Sequence, residues 1–350
     1  MNYKISVIVA TYNSGDFLNE FLDSIISQSL GFEDIEVIFV DDASTDTYTL
    51  ELLHNFDEMY SNVLAVFLDE NSGFPGTGRN RGLDLASGEY VIFADHDDSY
   101  VENAFEVMYN KIRDNDVLIS NFNQIFDDKA VKFKSLYTDT PTVKVKDIGE
   151  DRNLLRIPAA IWTRLFRKDF LIENNIRFLE GMLCEDVYVA TLGCLKANGI
   201  IYLNDFYSYN YKIRDVEGNK STIHIRNRKY IEAMLNGYYE IAKMLENENV
   251  FSDYKEMGCE YIAIPYIAPE EMSTENDRLN TIEKVRVLSE KAKAAGLKML
   301  YHNHAHELSE LNGNNFLDEL YSAVPDILLP EFDVCWLHFA GEDPVAYLER

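Results

Sequence analysis

Between Lys4 and Asp95 the chain alternates short β-branched or apolar runs with stretches of helical periodicity. Ile5 to Ala10 reads as a strand, and Phe17, Leu18, Phe21, Leu22, Ile25 and Ile26 then recur at the 3.6-residue spacing of an amphipathic helix. Ile35 to Val40 (strand), Leu50 to Met59 (helix), Val63 to Leu68 (strand), Gly78 to Ala86 (helix) and Tyr90 to Ala94 (strand) continue the rhythm. Strands separated by single helices predict a parallel sheet, because a helical crossover returns each strand in the same direction. Beyond it, Val117 to Ile125 reads as a strand and Val131 to Val145 as a hairpin-like excursion. Phe170 to Asn175 reads as a helix end, Asp186 to Ala197 as a helix, Tyr202 to Ile213 as an alternating aromatic strand, and Tyr230 to Leu245 as a long amphipathic helix.

Near residue 255 the pattern changes. A second β/α rhythm starts with a strand at Tyr261 to Ile264 and a helix at Leu279 to Ala295. A strand at Lys298 to His302, a helix near Phe316 to Ala323 and a strand at Ile327 to Asp333 follow. The expected organisation is therefore one domain over 1–255 and a separate segment over 256–350, with the junction near Tyr254 to Gly258.

Open parallel sheets bind ligands at the carboxyl ends of their strands, where strand order reverses. Polar clusters sit at those ends: Thr11-Tyr12-Asn13, Asp41-Asp42-Ala43-Ser44, Asn71-Ser72-Gly73 and Asp95-His96-Asp97-Asp98. Ordinary loop polarity explains one such cluster more easily than four in succession. Carboxylates crowded as in Asp95-x-Asp97 repel one another unless a cation sits among them, and hard oxygen ligands favour Mg²⁺ or Mn²⁺ over zinc. His96 would be a spacer. The competing reading is a solvated turn whose Asp residues complement a helix dipole.

Charge sharpens this picture. The 350-residue chain carries 32 Lys+Arg against 60 Asp+Glu, a net −28, which argues against nucleic acid as a partner. The first hundred residues hold 3 basic and 19 acidic side chains, an excess that would repel a phosphate-bearing ligand without an intervening cation. Cys184, Cys194, Cys259 and Cys335 show no paired spacing, so neither a disulfide framework nor a zinc cluster is indicated and a reducing compartment fits. No apolar run approaches the roughly 18 residues of a membrane span, and the start at Met1 shows no signal peptide. A cytoplasmic protein is expected, with any membrane contact peripheral, at the inner face.

The runs Ile5-Ser6-Val7-Ile8-Val9-Ala10-Thr11-Tyr12-Asn13, Val37 to Asp46, Gly78-Arg79-Asn80-Arg81-Gly82 onward to Tyr90, and Asp95-His96-Asp97-Asp98 strongly resemble family 2 glycosyltransferases, in the family's order, over residues 4 to about 250. The resemblance implies a glycosyltransferase A-type, Rossmann-like, mostly parallel α/β sheet and a nucleotide-sugar donor, usually carrying UDP. Thr11, Tyr12, Asn13, Asp41 and Asp42 would lie at the nucleobase and ribose, with Arg79 helping from the next loop. Asp95 would contact the ribose side and, with Asp97, hold the metal bridging the two phosphates. Ala10 stands where the family often has Pro, and Ala43 where Gly is usual; neither change removes a functional group.

Gly181-Met182-Leu183-Cys184-Glu185-Asp186-Val187 resembles the family's acidic pair beneath the acceptor. By that resemblance Asp186 is the general base of an inverting transfer to a saccharide or lipid-linked hydroxyl, with Glu185 beside it. Helix capping explains the same two residues in the absence of the upstream motifs. Trp162-Thr163-Arg164-Leu165-Phe166 resembles the segment before this site, as acceptor wall or as core. Tyr209-x-Tyr211-Lys212-Ile213-Arg214, then Ser221 and His224, resembles a segment that covers the donor. There Lys212, Arg214 or His224 could meet the diphosphate.

Met299 to Glu307 and Pro330 to Pro344 resemble the xylose-isomerase-like sugar-phosphate isomerase and epimerase family, which implies an incomplete (β/α) barrel over about 258–350. If the strand runs on, His302, His304 and His306 share one face, and Asp333 would be the best ligand candidate there. The expectation is a fused fragment without its own catalysis. The alternatives are isomerase or epimerase activity of this segment, or a nucleotide-sugar binding module that catalyses nothing.

Overall fold

The computed structural model describes residues 3–126, 129–213, 215–216, 219–220, 228–247, 255 and 259–349. Arg214, Ser221, His224 and most of the Tyr254 to Gly258 junction lie outside them. The chain divides into two compact units, Met1–Gly237 and Tyr238–Arg350.

The first unit is built on one mixed sheet. Its strands are β1 (Ile5–Thr11), β2 (Ile35–Asp41), β3 (Val63–Phe67), β4 (Tyr90–Asp95), β5 (Ser99–Tyr100), β6 (Val117–Phe126), β7 (Lys129–Lys132), β8 (Thr142–Val145), β9 (Arg164–Arg167) and β10 (Ile200–Lys212). The order is β3-β2-β1-β4-β9-β6-β10-β5, with β7 beside β6 and β8 beside β10. β1 pairs in parallel with both β2 and β4, so Thr11 lies across from Asp41, and Ala10 across from Asp95. The order reverses between β1 and β4, which opens a crevice at their carboxyl ends.

β1 and β2 read as near-continuous apolar runs because both faces are covered. Ile5, Val7, Ile8, Val9, Val37, Ile38, Phe39 and Val40 are wholly buried, each worth about 1.5–3 kcal/mol of hydrophobic burial. The helices covering the sheet include α1 (Phe17–Ile26), α2 (Thr47–Met59), α3 (Pro75–Leu85), α4 (Ala104–Ile112), α5 (Lys168–Glu173) and α6 (Glu185–Lys196). Asp46 caps α2 through the Thr49 N–H at 3.0 Å. α3 lies flush on the sheet because it carries glycines: a Cβ on Gly82 would stand 2.3 Å from Ile8 Cγ2, and one on Gly76 would stand 2.1 Å from the Leu179 carbonyl oxygen.

Parallel pairing holds for β1 to β4 and for β6 with β10, but β9 runs antiparallel between β4 and β6. This four-residue strand follows a 3₁₀ turn at Ile161–Thr163 and has no helical crossover to announce it. The expected Val131 to Val145 hairpin is also corrected. Its two arms pair with different strands, β7 with β6 and β8 with β10. A last helix, α7 (Arg228–Asn247), contains the division between the two units, which falls ahead of the expected boundary at residue 255.

The second unit holds three short strands, Tyr261–Ile264, Lys298–His302 and Leu328–Glu331, parallel and adjacent in chain order. Helices Glu275–Ala294 and Phe316–Ala323 lie between them in the chain. Met299, Tyr301, Phe316, Leu317 and Leu320 form its core.

Candidate active site

Asp41 ends β2 almost wholly buried. Its carboxylate accepts from the Ser44 N–H at 2.8 Å, from the Ser44 hydroxyl at 2.5 Å and, more distantly, from the Thr11 hydroxyl at 3.4 Å. These bonds fold the loop after β2 back onto the strand end. Ala43 turns that loop at φ 56°, the left-handed region where a glycine would fit without steric cost. Asn13, itself at φ 48°, accepts from the Thr45 and Asp46 N–H groups at 2.9 Å each. Asp42 accepts from Ser72 N–H at 2.9 Å and Gly73 N–H at 3.2 Å, tying in the loop after β3. Of the residues expected at the nucleotide, then, Asp41, Asn13 and Asp42 order the loops that surround the crevice. Thr11 is buried at the strand end and Tyr12 is exposed beside it.

At the end of β4 the acidic cluster closes in. Asp95 and Asp97 are half-buried and Asp98 is buried. Asp98 Oδ1 accepts from the Lys212 N–H at 2.7 Å, while its Oδ2 is buried without a hydrogen-bond partner. Burial, then the neighbouring Asp97 and Asp95, hold this carboxyl well above the usual carboxylate range. An orphaned oxygen among crowded carboxylates fits a hard cation, of the kind held by one or two carboxylates together with ligand phosphates. Among the described residues no group of three or more His, Cys, Asp or Glu is placed to hold a metal by itself. His96 proves to be more than a spacer: its Nδ1 lies 3.3 Å from the Ala10 carbonyl oxygen, joining the ends of β4 and β1.

The candidate base arrives from α6. Cys184 precedes the helix at φ 63° and turns the chain so that Glu185 and Asp186 occupy the first turn. Glu185 points inward to Arg79, and Asp186 is half-buried. Arg79, on α3, donates to Glu185 Oε1 at 2.6 Å and to Asp95 Oδ1 at 2.8 Å. Its guanidinium carbon lies 5.3 Å from the centre of the Phe178 ring. One buried cation therefore joins the end of β4 to the start of α6, 16 and 106 residues further along the chain. Arg79 was expected to help from a loop; it lies on α3 instead, with its side chain turned to carboxylates of the chain itself. Burial disfavours its charge, but Asp95, Glu185 and Asp186 outweigh that and hold its pKa above the usual value. Burial raises the Glu185 carboxyl, Arg79 lowers it, and the balance stands at about 7. Asp186 is raised as well, by burial first, against the opposing pull of Arg79.

Two residues that the sequence named only as members of longer segments, Tyr209 and Arg164, take definite places beside the cluster. Tyr209 is wholly buried, and its hydroxyl accepts from the Asp95 N–H at 3.4 Å. Its ring stacks on Trp162 at 4.3 Å, which places Trp162 in the core. Arg164 is buried on β9, donates to the Pro158 carbonyl at 3.0 Å, and leaves Nε and Nη1 without partners. The residue-level signal for Tyr209 is the aromatic alternation of β10. For Arg164 it is a charged residue in an apolar strand. Lys212 is engaged with Glu20 at 2.5 Å.

In the second unit the strand stops at His302, so the three histidines do not alternate along one strand face. Their rings still gather, His302 and His304 at 5.2 Å and His304 and His306 at 5.7 Å. Asp333 caps a short helix by accepting from Cys335 N–H at 2.8 Å, and lies 3.8 Å from His302 Nε2. Among the described residues no helix is long and apolar enough to cross a membrane.

A protein-family model described as Glycosyl transferase family 2 matches residues 6–171. The poly(ribitol-phosphate) beta-glucosyltransferase of Bacillus spizizenii is 32% identical over 235 residues, 66% of this chain and 36% of that one. The cholesterol galactosyltransferase of Borreliella burgdorferi is 30% identical over 60% of each chain. The chain thus spans under two thirds of the length of either relative. The crystal structure of S. aureus TarS residues 1–349 with UDP-GlcNAc superimposes with a TM-score of 0.61 at 24% identity, covering 92% of this chain and 82% of the other. That likeness is one of fold, a Rossmann-like mixed α/β sheet.

Proposed function

We propose, from the premise that residues 6–171 form a glycosyl transferase family 2 domain, that the protein is an inverting, metal-assisted glycosyltransferase. It moves a sugar from a nucleotide-diphosphate donor to a hydroxyl of a glycan or lipid-linked acceptor. The observation that carries the reading is the joining of the two acidic motifs. Asp95 at the switch point of the sheet and Glu185 at the head of α6 share one buried arginine, which sets a donor side and an acceptor side next to each other. UDP is the nucleotide to try first, because the S. aureus neighbour of the same fold was solved with UDP-GlcNAc.

In this mechanism Asp186 accepts the proton of the acceptor hydroxyl while that oxygen attacks the anomeric carbon from the face opposite the diphosphate. The bond from carbon to diphosphate oxygen breaks, and its electron pair leaves with the diphosphate. A carboxylate suits the task because the hydroxyl becomes acidic only late, as the new bond forms. Asp97 and Asp95 would hold a Mg²⁺ or Mn²⁺ ion, which supplies Lewis-acid neutralisation of the departing diphosphate. Asp41 and its Ser44 bonds keep the nucleotide-side loop in place.

The test is donor turnover. Purified protein is expected to bind UDP in the presence of Mn²⁺ and to hydrolyse at least one of a panel of nucleotide sugars. Binding without turnover would leave a nucleotide-sugar binding module that catalyses nothing, and failure in both would remove the reading and leave the second unit as the carrier of function. For that unit, we read residues 256–350 as an incomplete arc of a (β/α) barrel. The parallel, chain-ordered strands favour it over an unrelated appendage.

A further inference from the structure

Arg79 buries its guanidinium against carboxylates. It is 4% exposed, and its two recorded hydrogen bonds both go to carboxylates. Its place is fixed from several sides. Gly76 and Gly82 seat α3 against the Leu179 carbonyl and against β1. The next residue, Asn80, clamps the segment leading into α6, donating to the Phe178 carbonyl at 3.0 Å and accepting from the Phe178 N–H at 2.9 Å. Phe178 also lies against the guanidinium. The same helix thus carries the cation and holds the approach to the Glu185–Asp186 pair.

We propose that Arg79 is a positioning residue that ties the donor-side carboxylate Asp95 to the acceptor-side pair and thereby holds Asp186 as the proton acceptor. This rests on the glycosyltransferase reading above. The charged groups around Asp186 are Arg79 from α3, Asp95 from β4, Glu185 from α6 and Arg164 from β9. Arg79 thus faces all three carboxylates, while Arg164 faces Asp186 alone among them. Arg164 bonds only the Pro158 carbonyl, whereas Arg79 bridges two of the acids. Without Arg79 the remaining positive charge does not balance Glu185, Asp186 and Asp95. Asp186 would then hold its proton to higher pH and accept one from the acceptor less readily.

The experiment compares wild type, Arg79→Gln, Arg79→Lys and Glu185→Gln as full-length chains. Each is assayed across pH with Mn²⁺ for hydrolysis of the nucleotide sugar that the wild type turns over fastest in the panel, and for UDP–Mn²⁺ binding by calorimetry. The acidic limb of kcat reports the base in the bound complex. Arg79→Gln is expected to move that limb upward by about one pH unit or more, the effect of losing a close opposite charge. Arg79→Lys should return it part of the way. Glu185→Gln, which keeps the shape and frees Arg79 toward Asp186, should move the limb downward. That variant keeps the idea testable if Arg79→Gln does not fold. A uniform loss of rate with the limb unmoved in both Arg79→Gln and Glu185→Gln would overturn the inference while leaving the glycosyltransferase reading intact. A wild-type chain that neither binds UDP nor releases it from a nucleotide sugar would take down both.

Discussion

Each unit buries carboxyl groups next to the carboxyl ends of parallel strands, several around Arg79 in the first and Glu307 among histidines in the second, and the two clusters are built on opposite principles. In the second unit Glu307 is wholly buried but fully engaged. One oxygen accepts from the Tyr301 hydroxyl at 2.5 Å and the other from the His304 N–H at 2.8 Å. Burial would raise this carboxyl, but His304, His306 and Tyr301 outweigh it and the net shift is downward. Around Arg79 the net shifts of Glu185, Asp186 and Asp98 are upward, and both Asp98 Oδ2 and Arg79 Nε lack partners. A satisfied buried network stabilises a fold; a deficient one stores cost that a ligand, a cation or a proton can relieve. Both clusters hold an orphaned atom, His304 Nδ1 in the second; raised carboxyls, more than acidity itself, separate the candidate active site from a structural cluster.

The largest expected effect lies in the deficient cluster. Asp186→Asn should abolish sugar transfer, a loss on the order of 10²–10⁴-fold for a general base, while UDP binding measured by calorimetry stays near wild type. Loss of both together would assign Asp186 a structural role and erase the distinction drawn above. Next in size, Asp97→Asn should remove the Mn²⁺ dependence of UDP binding, read as equal affinities with metal and with chelator. A variant that still responds to Mn²⁺ would move the cation to Asp98, whose free oxygen is the other candidate.

Much of this was legible in the sequence because it is local. Strands β1 to β4 carry continuous apolar runs, and Ile5 to Val9 and Val37 to Val40 are buried as those runs require. The Glu185–Asp186 pair heads a helix, and polar clusters end four strands. What escaped depends on pairings distant in sequence. Nothing near Arg79 announces that it faces Glu185, 106 residues on, instead of solvent. Tyr209 reaches the Asp95 N–H across 114 residues through a strand order that periodicity does not encode. β9 is four residues long, too short to show a period, yet it fixes Trp162 and Arg164 in the core. Polar loop residues were equally ambiguous. Asn13 and Asp42 hold backbone N–H groups of the chain, a use that composition cannot distinguish from holding a ligand.

The two clusters also predict opposite responses of stability to pH. Glu185 has its folded pKa raised to about 7, above the unfolded carboxyl value, so its contribution is present at low pH and is lost as pH rises toward 7. Glu307 has its folded pKa lowered, so its contribution is present above the unfolded value and is lost as pH falls through the folded one. Denaturant unfolding of Glu185→Gln between pH 5 and 8 should therefore show a flatter fall in stability than wild type. Glu307→Gln should be destabilised at pH 7, with the difference narrowing toward pH 4. Slopes of the same sign in both variants would mean that the clusters are not opposites.

The smallest effect concerns Asp333, the best ligand candidate of the second unit by resemblance. Its carboxylate accepts from the Cys335 N–H at 2.8 Å and the Trp336 N–H at 3.3 Å, as a helix cap does, and its approach to His302 Nε2 is longer, at 3.8 Å. A residue used this way stabilises the start of its helix and leaves no need for a metal. Asp333→Ala should cost about 1 kcal/mol, the worth of an N-cap, seen as a small drop in unfolding midpoint, with nucleotide-sugar hydrolysis unchanged. If hydrolysis instead fell with stability held, the second unit would contain chemistry of its own. The contrast between raised carboxyls in one unit and a lowered one in the other would then fail at its weakest member.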